Sequence, residues 1–87
     1  ELGLLLPPQS PVNRFAQVDQ AGLRVGVSQG SSSQAALGQQ LKLAQLVPVA
    51  SLEVAQQMLR SGQLDAFATN KGILFELREK LPDFKVR

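Results

Sequence analysis

The chain contains no cysteine, no histidine, no tryptophan and no tyrosine, and each absence removes a class of chemistry. Without cysteine there is neither a disulfide nor a thiolate nucleophile, and the composition suits a reducing or an oxidising compartment equally. Without histidine the usual general base for an activated serine is missing. Without tyrosine or tryptophan there is no aromatic platform for stacking nucleic-acid bases. Nine basic against seven acidic residues leave a net charge of only +2, so nucleic acid is not the expected partner. Five of the basic residues (Lys71, Arg78, Lys80, Lys85, Arg87) fall near the C-terminus. Glu76, Glu79 and Asp83 are interleaved with them, which is the pattern of a solvated helix face. The longest apolar run, around Leu4 to Pro8, is far short of the ~20 residues that cross a bilayer. The start of the chain also lacks the basic n-region of a signal peptide.

What is present is the composition of a globular domain: 87 residues, 44% hydrophobic and 18% charged. A chain of this length makes one domain at most and buries roughly 60–65% of its unfolded surface. It can equally be a piece of a larger protein.

Four apolar runs and the C-terminal segment read as strands. "LGLLL" (Leu2 to Leu6) is stopped by Pro7 and Pro8, and a proline-rich connection then leads to a turn at Gly22. "LRVGV" is the second strand. "LVPV" is the third, and its Pro48 predicts an edge position or a strand end. "DAFA" is the fourth, and "FKVR" begins a fifth.

Between them lie helix signals. Ser31 and Gln34 match a capping box, and Leu37, Leu41 and Ala44 recur at i, i+4 and i+7, predicting a helix from about Ser32 to Leu43. Ser51 offers an N-cap to a helix carrying Leu52, Ala55 and Leu59, with Gly62 as the stop. Thr69 and Asn70 are alternative caps for a third helix, Lys71 to Leu81, ended by Pro82. Phe67, Phe75 and Phe84 are expected in the core. Strand–helix alternation of this kind predicts a three-layer αβα fold with a mainly parallel sheet of about five short strands.

In such sheets ligands bind beyond the carboxyl ends of the strands. Three loops end there: Ser28 to Ser33, Ala50 to Ser51, and Ala68 to Lys71. The first has the chemistry of an anion site, because unsatisfied N–H groups at a helix start point outward beside the positive end of the helix dipole. Gly30 lets the backbone approach a ligand, and Ser31 and Ser32 add hydroxyls; the same serines also serve simply as helix caps. Gly26-Val27-Ser28-Gln29-Gly30 fits the nucleophile elbow G-x-S-x-G, but without histidine the match predicts no catalysis. Neither G-x-G-x-x-G nor the lysine-bearing Walker pattern occurs, so no nucleotide site is expected. No carboxylate pair or metal-ligand cluster stands at useful spacing, and no cofactor is called for. Asp65, between a turn and a strand, is expected to tie down backbone N–H groups.

The string "VDQAGLRVGVSQGSSSQAAL" resembles the second-lobe signature of type 2 periplasmic solute-binding proteins, the extracellular family 3 receptors of ABC transporters. "SLEVAQQMLRSGQLDAFATN" and "LGLLLPPQSPV" resemble two further segments of that family, in the same order, so the similarity covers nearly the whole chain. It implies that residues 1–87 are lobe 2 of a two-lobed clamshell whose lobe 1 is missing. It further implies capture of a small anionic or zwitterionic solute, a membrane permease as partner, and a periplasmic or lipid-anchored extracytoplasmic location. By position, Gly30, Ser31 and Ser32 match the residues that hold a ligand carboxylate. Asn70 stands where the family's amino-acid receptors usually place an aspartate, a departure that speaks against an ordinary amino-acid ligand. The same lobes also occur in extracytoplasmic sensor domains and in dehydratases, two alternatives to a transport receptor.

Overall fold

The computed structural model describes residues 2–87. Five strands, β1 (Leu2–Leu6), β2 (Arg24–Ser28), β3 (Gln45–Val49), β4 (Ala66–Asn70) and β5 (Lys85–Val86), form one sheet in the order β3-β2-β4-β1-β5. Three helices, α1 (Ser32–Gln40), α2 (Leu52–Arg60) and α3 (Lys71–Lys80), follow β2, β3 and β4, and a 3-10 turn (Phe15–Val18) precedes β2. β2 pairs in parallel with β3 and β4. β1 departs from the expected parallel pattern, because it is antiparallel to both of its neighbours, β4 and β5. Four strands therefore point one way and the first in sequence points the other.

Strands buried on both faces alternate their side chains between two cores. Leu4, Leu6, Val25, Val27, Ala66 and Ala68 pack with Leu37 of α1 and Val18 of the 3-10 turn. Leu5 and Phe67 face the other way, toward Ala55 and Leu59 of α2 and Leu74 and Leu77 of α3. The result is the three-layer sandwich anticipated, with β3 and its Pro48 at an edge.

Two expectations need correction. The first helix ends at Gln40 rather than Leu43. The Asp19 carboxylate accepts the backbone N–H groups of Lys42, Leu43 and Ala44 at 3.0, 2.7 and 2.9 Å, which draws the chain out of the helical path and leaves Leu43 63% exposed. These N–H bonds hold the Asp19 carboxyl below its ordinary range. Phe75 is not in the core: the inward stripe of α3 is Leu74, Leu77 and Leu81, and Phe75 sits about 100° round the helix from Leu74. It is 50% exposed, with the Arg78 guanidinium 5.5 Å from its ring centroid. Phe67 is fully buried and Phe84 packs partly buried against the same core, as anticipated.

Candidate functional site

Because β2, β3 and β4 are parallel, their carboxyl ends lie on one edge of the sheet, and the loops entering α1, α2 and α3 line up along it. Each loop is held by a side chain that caps its helix. Ser51 Oγ accepts from Val54 N–H at 3.2 Å, and Asn70 Oδ1 accepts from Ile73 N–H at 3.0 Å. With its oxygen committed to the cap, Asn70 offers the edge its amide NH2.

The Ser28–Ser33 loop is the most constrained of the three. Gly30 takes φ +78°, a left-handed conformation that glycine adopts without steric cost. Ser31 Oγ donates to Ser28 C=O at 2.7 Å and accepts from Gln34 N–H at 3.1 Å, so both roles of this hydroxyl are used inside the loop. The capping box is displaced by one residue: Gln34 Oε1 accepts from Gly30 N–H at 2.7 Å, not from Ser31. Gln29 N–H donates to Val49 C=O at 2.9 Å and pins the loop to the end of β3.

What remains unsatisfied is therefore specific. Among the described residues, no hydrogen bond occupies the Ser32 hydroxyl or the N–H groups of Ser32 and Ser33. Ser32 is exposed, whereas Ser33 keeps only 8% of its surface. Of the residues singled out from sequence, Gly30 shapes the turn, Ser31 serves as the cap, Asn70 caps the neighbouring helix, and Ser32 carries free donors. The Ser33 N–H belongs to the helix-start donors expected of this loop, but nothing in the string "SSS" distinguishes the cap from the residues after it.

Gly26 has a packing role. A Cβ placed on it would lie 2.5 Å from Leu64 Cδ1 and 3.0 Å from Phe67 Cδ1, so the glycine of the G-x-S-x-G match is required by the core. At the opposite edge of the sheet Asp65 is structural, as expected. Its carboxylate accepts from Arg24 N–H at 2.8 Å and pairs with the Arg24 guanidinium at 3.0 Å. The hydrogen-bonded guanidinium holds the Asp65 carboxyl below its ordinary range, and burial opposes that only partly. A groove of about 430 Å3 also lies on that edge, lined in part by Pro7, Leu59, Arg60, Asp65 and Phe84. It is remote from the free donors of α1.

The fold is that of one lobe of a type 2 periplasmic binding protein. The chain superimposes on the ancestral amino acid-binding protein AncCDT-1, a precursor of cyclohexadienyl dehydratase, with TM-score 0.85 and 22% identity over 99% of this chain and 38% of that one. For the arginine-, lysine-, histidine-binding protein ArtJ from Geobacillus stearothermophilus the values are 0.82 and 23%, over 98% of this chain and 37% of that one. For domain 2 from TmArgBP they are 0.83 and 16%, over 99% of this chain and 92% of that one. The chain thus spans little more than a third of the full-length proteins it resembles but nearly all of an isolated second domain. No family model matches the sequence, and no curated protein matches it.

Proposed function

We propose that this chain is the second lobe of a solute-binding receptor of an ABC-type import system, working outside the cytoplasmic membrane with a membrane permease. A small anionic or zwitterionic solute is held between it and a first lobe. The observation that carries the reading is the set of free donors at the start of α1: the Ser32 hydroxyl and the N–H groups of Ser32 and Ser33. They stand at the positive end of the helix dipole, on the edge where α/β sheets bind ligands.

The position of the chain ends supports the two-lobe geometry. Leu2 pairs with Asn70, and Arg87 exchanges backbone hydrogen bonds with Leu4 at 2.8 and 2.9 Å. Both ends thus run toward the edge that carries the donors, where connections to a first lobe would enter a shared cleft. The donor NH2 left to Asn70 by its capping role favours an anionic or acceptor-rich group over an ammonium at this lobe.

The test is calorimetry on the full-length receptor against a panel of amino acids, dicarboxylates and inorganic oxyanions, with Ser32→Ala as the variant. A hydrogen bond to a charged group contributes about 1.5–3 kcal/mol, so the variant should weaken binding of the recognised solute roughly ten- to a hundredfold. Unchanged affinity would show that the Ser32 hydroxyl does not hold the anion.

A further inference from the structure

On the face of the sheet covered by α2 and α3, the surface between these helices dips into a groove of about 380 Å3. Its floor is apolar, made by Leu52, 36% exposed, and the largely buried Leu77. Glu53 and Gln56 line it from α2, and Glu76 and Glu79 line it from α3, with Lys80 as the single cation. Three carboxylates against one ammonium give this groove a formal charge of −2 on a chain whose net charge is +2.

The three glutamates differ from the carboxylates that the fold consumes. Asp19 is saturated by backbone N–H groups and Asp65 by Arg24. Among the described residues, Glu53, Glu76 and Glu79 make no hydrogen bond or ion pair. Nor do they converge: no three acidic side chains among the described residues stand close enough to hold a metal ion. Separated, uncompensated carboxylates along an apolar trough complement a row of cations carried on a partly apolar backbone, rather than a single ion.

We propose that the α2–α3 groove docks a basic segment of a partner protein, with one apolar side chain seated on Leu52 and Leu77 and Lys or Arg side chains over the three glutamates. This surface belongs to the helical layer, and its use does not depend on what the cleft edge binds.

The test uses the 87-residue chain, isotope-labelled for backbone amide NMR, and a synthetic amphipathic peptide with leucines at i and i+4 flanked by arginines. Its controls are the same peptide with glutamate for arginine, free arginine, and spermidine. The arginine peptide should shift amides of residues 52–60 and 71–80, and the glutamate peptide should shift none. Combining Glu53→Gln, Glu76→Gln and Glu79→Gln should weaken binding about tenfold, as should raising the salt. These positions are exposed, so unchanged thermal melting will show that the variant is folded. The proposal is overturned if the peptide fails to bind at millimolar concentration, if its shifts map to another surface, or if the triple variant binds as wild type does. It is equally overturned if spermidine or free arginine reproduces the shifts at the peptide's concentration, which would mark a site for small cations.

Discussion

Gly26→Ala tests the internal packing of the lobe most directly. The residue lies in the middle of β2, and the added methyl would lie 2.5 and 3.3 Å from the two δ-carbons of Leu64 and 3.0 Å from Phe67 Cδ1. Both branches of Leu64 and the ring of Phe67 must shift to admit the new methyl. Leu64 and Phe67 are themselves fully buried. Overpacking of this kind costs about 1–3 kcal/mol, offset by ~0.4–1 kcal/mol from the stiffer unfolded chain. For a domain of this size each kcal/mol moves Tm by roughly 4–8 °C, so the mid-range net cost of about 1.3 kcal/mol should lower the melting temperature by about 5–10 °C. Gly38→Ala is the control: in α1, with nothing beyond its own helix and chain neighbours within 4 Å of the new methyl, it should instead stabilise by ~0.5–1 kcal/mol. Leu64→Val removes both offending δ-carbons. The double variant Gly26→Ala/Leu64→Val should therefore be more stable than the sum of the singles predicts, by about 1 kcal/mol or more. Calorimetric melting of the four proteins decides the matter. A Gly26→Ala chain that melts at or above wild type, or a strictly additive double variant, would refute the packing account.

The loop entering α1 yields a second contrast: Ser31→Ala should lose ~1 kcal/mol with its cap, visible in urea unfolding, whereas Ser32→Ala should leave unliganded stability within about 0.5 kcal/mol. For pH, Asp19 and Asp65 both have lowered carboxyl pKa values in the fold. Their stabilisation is thus fully present above the unfolded value of about 4 and is lost as pH falls through the folded values. Unfolding measured from pH 7 down to 2 should show stability falling below about pH 4, and Asp19→Asn should flatten that fall; an unchanged acid limb would show that the carboxylate clamp contributes nothing. The isolated lobe should bind the solute far more weakly than the full-length receptor, because it can bury only part of it; equal affinities by calorimetry would contradict the two-lobe reading.

Most of the architecture was legible because punctuation and periodicity agree in this chain. Ser51, Asn70, Gly62 and the Leu74–Leu77–Leu81 stripe are local signals, and the structure uses them locally. What was hidden is long-range. The reversal of β1 follows from its insertion between β4 and β5, a pairing that no short string encodes. Asp19 ends the α1 region through partners 23 to 25 residues away. Phe75 was misplaced because three closely spaced apolar residues, Ile73, Leu74 and Phe75, cannot all share one helix face. In the candidate site the loop was legible as a donor-rich helix start. The division of labour within "SSS" was not, since it depends on which hydroxyl the carbonyl of Ser28 captures.

The reversed first strand also bears on how the lobe assembles. Leu2 must find Asn70, and Leu5 must find both Phe67 and Val86, so β1 is completed only with strands that lie some sixty to eighty residues further along the sequence. Until β4 is available, Leu4 and Leu5 lack their strand partners Ala68 and Phe67, and the backbone of an apolar segment stays unpaired. Loop closure over so many residues carries an entropic cost before any contact repays it. β1 is thus the segment that a destabilised lobe exposes to aggregation when it is not docked between β4 and β5.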